Sequence, residues 1–437
     1  MPSESMDRQV LRSFTAAVSP LQLAFLAWRR WFSRRPVIGP VEKWFGRAPA
    51  VAPGRIIVHG VSLGETALMR PLVPLLEQRL GPCLLTSTTE TGWAGLAKSF
   101  PDHPRAFWPF DLPWAVDAFL DRVQPRALVL MESEFWPVMV AECRRRNIPV
   151  VVANARLSER SYARFGRLAI FRRLLASYAG VAAQNETHAA RFRDLGLSGV
   201  AATGTMKADL VRPAGPEVAA VEAGRIGLSL DRPLLLLAST SPDEEAAILN
   251  REHLAWWQSQ GWQVAIAPRH PERGPALADL VRSWGGTPWL TANSGARPST
   301  SDVVPIINEI GRLGALYALS ACTGGIAVVG GSLGSGRGGQ NMLEAAAHGC
   351  ATVVGWDVKN QPDGMALLRQ AGGVVELTLN DLHGPLQALA TDGPRRQALG
   401  GAGKQAWSAG LGAAGRTADH LVQILTSGRP RTTTSES

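Results

Sequence analysis

Short apolar runs rich in β-branched residues alternate along the chain with longer stretches whose apolar residues recur every three or four positions. Arg55–Gly60 (RIIVHG), Cys83–Thr88 (CLLTST), Ala127–Glu132 (ALVLME), Ile148–Ala155 (IPVVVANA) and Gly180–Asn185 (GVAAQN) form a first series. Each is a near-continuous apolar run, so each predicts a strand buried on both faces, the pattern of a parallel sheet. The stretch after Glu65, TALMRPLVPLLEQRL, has helical spacing. A second series begins near residue 230: Pro233–Thr240 (PLLLLAST), Trp262–Arg269 (WQVAIAPR), Gly325–Gly331 (GIAVVGG), Ala351–Trp356 (ATVVGW) and Gly372–Leu377 (GGVVEL). Strand–helix alternation of this kind predicts parallel sheets covered by helices on both faces.

The stretch between the two series carries Pro213, Pro216 and Pro233 and reads as an interdomain connection. A chain of 437 residues also exceeds what one ordinary core accommodates. The expected organisation is a segment 1–35, a first domain 36–212, a linker 213–232, a second domain 233–426 and a polar tail 427–437. Two doubly wound α/β domains in tandem imply a central cleft faced by strand C-termini, where such sheets bind ligands.

Composition is globular, with 46% hydrophobic and 19% charged residues. Cys83, Cys143, Cys322 and Cys350 are far apart, which argues against a zinc ribbon or a disulfide framework and fits a reducing compartment. The formal charge of +9 favours anionic partners: a nucleotide, an anionic lipid or a nucleic acid. No RNP, zinc-finger or basic-zipper pattern occurs, which sets nucleic acid aside. No apolar run is long enough for a membrane span. LQLAFLAWRRWF (Leu21–Phe32), followed by Arg34 and Arg35, combines apolar residues with Trp28, Trp31, Arg29 and Arg30. That composition suits a helix lying in a lipid interface, and equally an amphipathic helix packed on its own domain.

Several strand ends carry candidate chemistry. In HGVSLGE (His59–Glu65), small residues permit a tight turn, and Glu65 falls at the start of the next helix, where the helix dipole also favours an acid. STTETGW (Ser87–Trp93) suits either an anion site or simple N-capping. MESEFWP (Met131–Pro137) places Glu132 and Glu134 after a strand, where two carboxylates are hard to justify for packing alone. In NARLSERSYARF (Asn154–Phe165), Arg156, Arg160 and Arg164 would share one helical face, either solvated or set against phosphate or carboxylate groups. TGTMKAD (Thr203–Asp209) holds Lys207 just before the connection. In the second half, APRHPER (Ala267–Arg273) offers Arg269 and His270. The glycine-rich stretch Gly330–Gly349 runs into a helix through Asn341, Met342, Leu343 and Glu344. Its amides suit a nucleotide phosphate and Glu344 suits ribose hydroxyls. There is no strict Walker A or GxGxxG.

Taken in order, HGVSLGE, TSTTETG, WPFDLPWAVDAFLDRVQP, MESEFWP, NARLSERS, AAQNETHAARFRDLG, TGTMKAD, LASTSPDEE, APRHPER and GGQNMLEAAAHG resemble the lipid A Kdo (3-deoxy-D-manno-octulosonic acid) transferases. The resemblance spans roughly residues 40 to 420. It implies the GT-B fold, two Rossmann-like domains, and inverting transfer of Kdo from CMP-Kdo to a lipid A precursor such as lipid IVA, in lipopolysaccharide core biosynthesis. It further implies no cofactor or bound metal, and a peripheral location on the anionic cytoplasmic face of the bacterial inner membrane. Carried over residue by residue, it makes Glu65 the general base and gives Glu132 and Lys207 transition-state support. It gives Pro268, Arg269, Ile310, Gly311, Arg312, Asn341, Met342, Leu343 and Glu344 to CMP. Three positions depart from the family pattern: Gln340 stands for a histidine, Arg312 for an acidic residue and Met342 for a proline. Two other readings are a GT-B enzyme acting on a UDP-sugar, as transferase or epimerase, and an inactive membrane-associated scaffold.

Overall fold

The computed structural model describes residues 40–132, 134–167, 169–292, 302–334 and 336–427. The basic segment 1–35 and all of the tail but Ser427 lie outside them.

The first sheet has seven parallel strands in the order β3-β2-β1-β4-β5-β6-β7. These are β1 (Ile56–Gly60), β2 (Cys83–Ser87), β3 (Arg105–Phe107), β4 (Ala127–Met131), β5 (Val150–Ala155), β6 (Gly180–Ala183) and β7 (Val200–Ala202). Every residue of β1, β2 and β4 is buried, as continuous apolar runs require. Successive side chains feed two cores, Ile57, Leu84 and Leu128 on one face and Ile56, Val58, Leu85 and Val129 on the other. β3 and β7 have three residues each, too short to show a pattern, and they form the two edges.

The second sheet is again seven-stranded and parallel, ordered β10-β11-β9-β8-β12-β13-β14. Its strands are β8 (Leu234–Thr240), β9 (Gln263–Pro268), β10 (Thr287–Leu290), β11 (Val303–Ile306), β12 (Ile326–Val329), β13 (Ala351–Gly355) and β14 (Val375–Leu377). In both sheets the strand order reverses at a central pair, β1 with β4 and β8 with β12. Chain crossovers diverge there to opposite faces, so the loops leaving those strands frame a ligand-sized crevice.

The compact units differ from the ranges expected from sequence. Among the described residues, the first comprises 40–210 and 412–427, and the second 211–411. The supposed linker contains a helix, Pro216–Ile226, with Ala219, Ala223 and Ile226 buried in a core shared with Leu316 and Leu319. Its apolar residues recur at helical spacing, but Pro213, Pro216 and Pro233 mask the pattern; Pro216 simply opens the helix, where its missing amide costs nothing. The last helix, Ala413–Thr426, belongs to the first unit because Ala413, Ala414, Ala418 and Leu421 are buried with Leu68, Met69 and Leu72.

Candidate active site

At the switch point of the first sheet, β1 delivers the chain into Val61–Glu65 and β4 into Glu132. Gly60 allows this turn: a Cβ there would sit 3.2 Å from the main-chain carbon of Glu65. Ser62 caps the helix Leu63–Leu80, and Glu65 reaches back with its carboxylate. Oε2 accepts the Val61 amide at 2.6 Å and Oε1 accepts the Ser62 hydroxyl at 3.0 Å. Glu65 thus helps cap its own helix, through the amide before the N-cap and the N-cap hydroxyl, so part of what it does is local. Half-burial nevertheless raises its pKa above the ordinary carboxylate range, against the pull of those hydrogen bonds and with a contribution from the charge of Glu132. A carboxylate adjusted in that direction is better matched to accepting a proton near neutrality.

Glu132 lies in left-handed backbone, φ 59°, and its amide donates to Ala153 O at 2.9 Å. A long side chain in that region is unusual and is held there by its surroundings. β4 ends at Met131 and the chain turns at Glu132, so the strand periodicity that would set residues two apart on one face does not extend to Glu134. Burial pushes Glu134 up to about 7, with further contributions from the charges of Glu65 and Glu132. The three carboxylates share one electrostatic neighbourhood. They are not a metal-ligand set, and none occurs among the described residues.

Behind them, His59 is fully buried, stacked on Trp108 at a centroid separation of 3.9 Å, with burial holding its pKa down at about 3. It is therefore neutral near pH 7. Asn154, next to the end of β5, connects Glu132 to the loop Thr203–Asp209: its Nδ2 faces Glu132 Oε1 at 3.5 Å, and Met206 N donates to its Oδ1 at 2.9 Å. The same loop is tied down by the C-terminal helix, whose Gly412 and Ala414 amides both donate to Asp209 at 2.7 Å. Lys207 is half-buried on this loop and forms no ion pair with a described residue. STTETGW serves as a cap, Thr89 Oγ1 accepting Gly92 N at 3.1 Å. Of the three arginines expected on one helical face, Arg160 and Arg164 lie exposed on the helix Glu159–Arg167, while Arg156 precedes it.

In the second unit the glycine-rich loop differs from its expected role. The amide of Gly331 donates to Glu244 Oε2 at 2.9 Å, and those of Ser332 and Leu333 to Oε1 at 3.0 Å. Gly336 and Gly338 donate to Asp357 at 2.7 and 3.0 Å. Internal carboxylates thus occupy the amides that the sequence offered to a phosphate. Gly330 passes so close to β8 that a Cβ would lie 2.6 Å from Ser239 O. The amides of Asn341, Met342 and Leu343, at the start of the helix Met342–His348, carry no such acceptor among the described residues. The side chains of Met342 and Leu343 are fully buried, so these residues meet a ligand only through main chain. Asn341 Oδ1 is buried without a partner, and burial raises the pKa of Glu344.

Pro268 closes β9, and Arg269 follows with an exposed side chain and its amide on Thr240 O at 2.9 Å. Ile310 is 87% exposed and Gly311 is left-handed at φ 90°. The Arg312 guanidinium pairs with buried Glu222, which also binds Arg225 at 2.7 Å. The residues that sequence reasoning left without a role, Glu244 and Glu245, are fully buried. Glu245 pairs with Arg273 at 2.8 Å. The spacing of Ser241 and Glu244 is a capping-box signature that could have found the first of them.

Residues 29–210 match the family model of 3-deoxy-D-manno-octulosonic-acid transferase (kdotransferase). The 3-deoxy-D-manno-octulosonic acid transferase of Haemophilus influenzae is 31% identical over 85% of this chain and 88% of its own length. The chain belongs to the Kdo transferase family. The Bordetella pertussis 3-deoxy-D-manno-octulosonic acid transferase is 34% identical over 84% of this transferase and 87% of its own length. Among solved structures, the UDP-GlcNAc 2-epimerase of Neisseria meningitidis bound to UDP-GlcNAc aligns with 85% of the transferase and all of its own chain, at a TM-score of 0.56 and 14% identity. That likeness concerns the fold, which is GT-B.

Proposed function

We propose that this transferase moves Kdo from CMP-Kdo onto a hydroxyl of a lipid A precursor, in one displacement with inversion. The observation that carries the reading is the group of carboxylates at the first sheet's switch point, in which burial and the charge of Glu132 raise the pKa of Glu65. Glu65 takes the proton of the acceptor hydroxyl as its oxygen bonds to the anomeric carbon and the CMP phosphate departs. Glu132 and Lys207 supply charge at the reacting centre, Lys207 opposite to the negative charge that develops or to the Kdo carboxylate. In the second unit, Arg269 and the amides of Asn341–Leu343 hold the CMP phosphate. Ile310–Arg312 contributes main chain, and Glu344 accepts from ribose hydroxyls.

The acceptor is an anionic lipid, for which exposed Arg160 and Arg164 offer guanidiniums. No described helix is long and apolar enough to cross a membrane. We assign the basic segment 1–35 to peripheral contact with the anionic cytoplasmic face of the inner membrane. The test is incubation of the full chain with CMP-Kdo and lipid IVA, with mass spectrometry of the lipid. Kdo-bearing product with the wild type and a loss of at least about a hundredfold for Glu65→Gln are expected. Absence of product from folded wild-type protein, or full activity of Glu65→Gln, overturns the assignment.

A further inference from the structure

Asn154, the penultimate residue of β5, lies in left-handed backbone, φ 53°, with no exposed surface. Both ends of its side chain are engaged. Because Oδ1 accepts the Met206 amide at 2.9 Å, the orientation of the amide group is fixed, and Nδ2 is the donor that faces Glu132 Oε1 at 3.5 Å. Its carbonyl oxygen accepts Gln184 Nε2 at 3.0 Å, which anchors the main chain from β6's side.

We infer that Asn154 is a positioning residue of the transferase, whose single amide orients the Glu132 carboxylate and, through Met206, the loop that presents Lys207. The inference rests on the roles proposed above for those two residues. Three demands converge on this position. Left-handed backbone favours Asn over other residues with a side chain, apart from Asp. The Met206 amide requires an acceptor, and the Glu132 carboxylate requires a donor. Asp satisfies the first two demands and fails the third; Ser and Thr have one oxygen where two atoms are needed. A residue that merely fastened the Met206 loop would work as well with Asp. The contact to Glu132 is what singles out the amide.

The experiment compares Asn154→Asp, Asn154→Ala and Glu132→Gln in the full chain. It reads kcat, the KM for CMP-Kdo and Tm between about pH 5 and pH 9. Position 154 faces Glu132, whose charge couples to Glu65 and Glu134, and it holds Met206, the residue before Lys207. Asn154→Asp keeps the Met206 bond, so Tm stays near wild type and KM within about twofold. Its kcat falls about 10- to 100-fold near pH 8, where two carboxylates would face each other. The defect shrinks towards pH 5, where the introduced carboxyl is protonated and again donates to Glu132. In a Glu132→Gln background the same change adds less than about threefold, because the two positions act as one unit. Asn154→Ala loses both contacts and falls in kcat and Tm together. Wild-type kcat for Asn154→Asp across the pH range, beside an impaired Glu132→Gln, overturns this inference alone. So does a defect that is flat with pH. Wild-type activity of Glu132→Gln overturns the proposed role of Glu132, and the inference falls with it.

Discussion

Glu244 Oε1 accepts the main-chain amide of Ser332 at 3.0 Å, so a carboxylate leaving β8 closes the loop that leaves β12. The same side chain takes the amides of Gly331, Leu333 and Ser241, and it is fully buried. Removing it strands several buried donors at once. Glu244→Ala is expected to destabilise the protein by about 3–5 kcal/mol. Glu244→Gln should do little better, since its NH2 group would face amide donors. Chemical denaturation measures both, and a Glu244→Gln protein as stable as wild type would contradict this account.

Glu134 makes stability depend on pH with a definite sign. Its folded-state pKa is raised to about 7 by burial first and by Glu65 and Glu132 second. For a carboxylate raised in this way the folded state holds its proton longer, so stability falls as pH climbs from the ordinary carboxylate range through about 7. Glu134→Gln, which stays neutral, should match wild type near pH 4 and exceed it by on the order of 2 kcal/mol at about pH 8. Thermal unfolding across that range tests the sign. A variant that loses stability at the alkaline end shows that the Glu134 charge is not the strained element.

Arg269 and Arg312 separate binding from folding. Arg269 has an exposed side chain without an ion pair among the described residues, whereas Arg312 is committed to Glu222, which is 1% exposed. Arg269→Ala should weaken CMP binding about 10- to 100-fold, the worth of a charge-assisted hydrogen bond, and leave Tm unchanged. Arg312→Ala should reverse that pattern. It costs about 1–3 kcal/mol of stability by stripping a partner from a buried carboxylate, while CMP affinity changes by less than about threefold. Calorimetric titration with CMP, beside thermal melts, reads both.

The parallel sheets were legible because buried strands are apolar throughout, and ten runs of that kind stand out in the sequence. β3, β7, β10 and β11 were not: each has only three or four residues, too few to stand out unless the flanking residues lengthen the run, as they do at β14. Glu65 and Glu132 drew notice because they follow strand ends, where α/β folds bind ligands, whereas their roles and that of Lys207 came from the family resemblance. What stayed hidden depends on long-range contacts. Nothing local marks Asp111 as the residue whose carboxylate caps the amides of Val138 and Met139 at 3.0 and 2.9 Å. Nor does the glycine-rich loop announce that Glu244, remote from it in sequence, and Asp357, beyond the next strand, already fill its amides. The left-handed backbone at Glu132 was equally invisible, because the position carries neither the glycine nor the Asn that signals it.

The C-terminal helix gives the last prediction, and its logic runs from burial to catalysis. Leu421 is fully buried in the core that contains Leu68 and Leu72 of the helix starting with Glu65's cap. Asp209 caps the N-terminus of this last helix at Gly412 and Ala414, from the loop that carries Lys207. Leu421→Ala should therefore cost about 2–5 kcal/mol, despite lying close to the end of the chain. Asp209→Ala should cost about 1–2 kcal/mol as a lost cap, and it frees the Lys207 loop as well. The two variants should then part company in kinetics at a temperature where both remain folded. Leu421→Ala keeps kcat near wild type, whereas Asp209→Ala lowers it about tenfold with KM little changed, because the loop no longer holds Lys207 in place. Equal kcat for the two would mean that the cap fastens the helix and has no part in presenting Lys207.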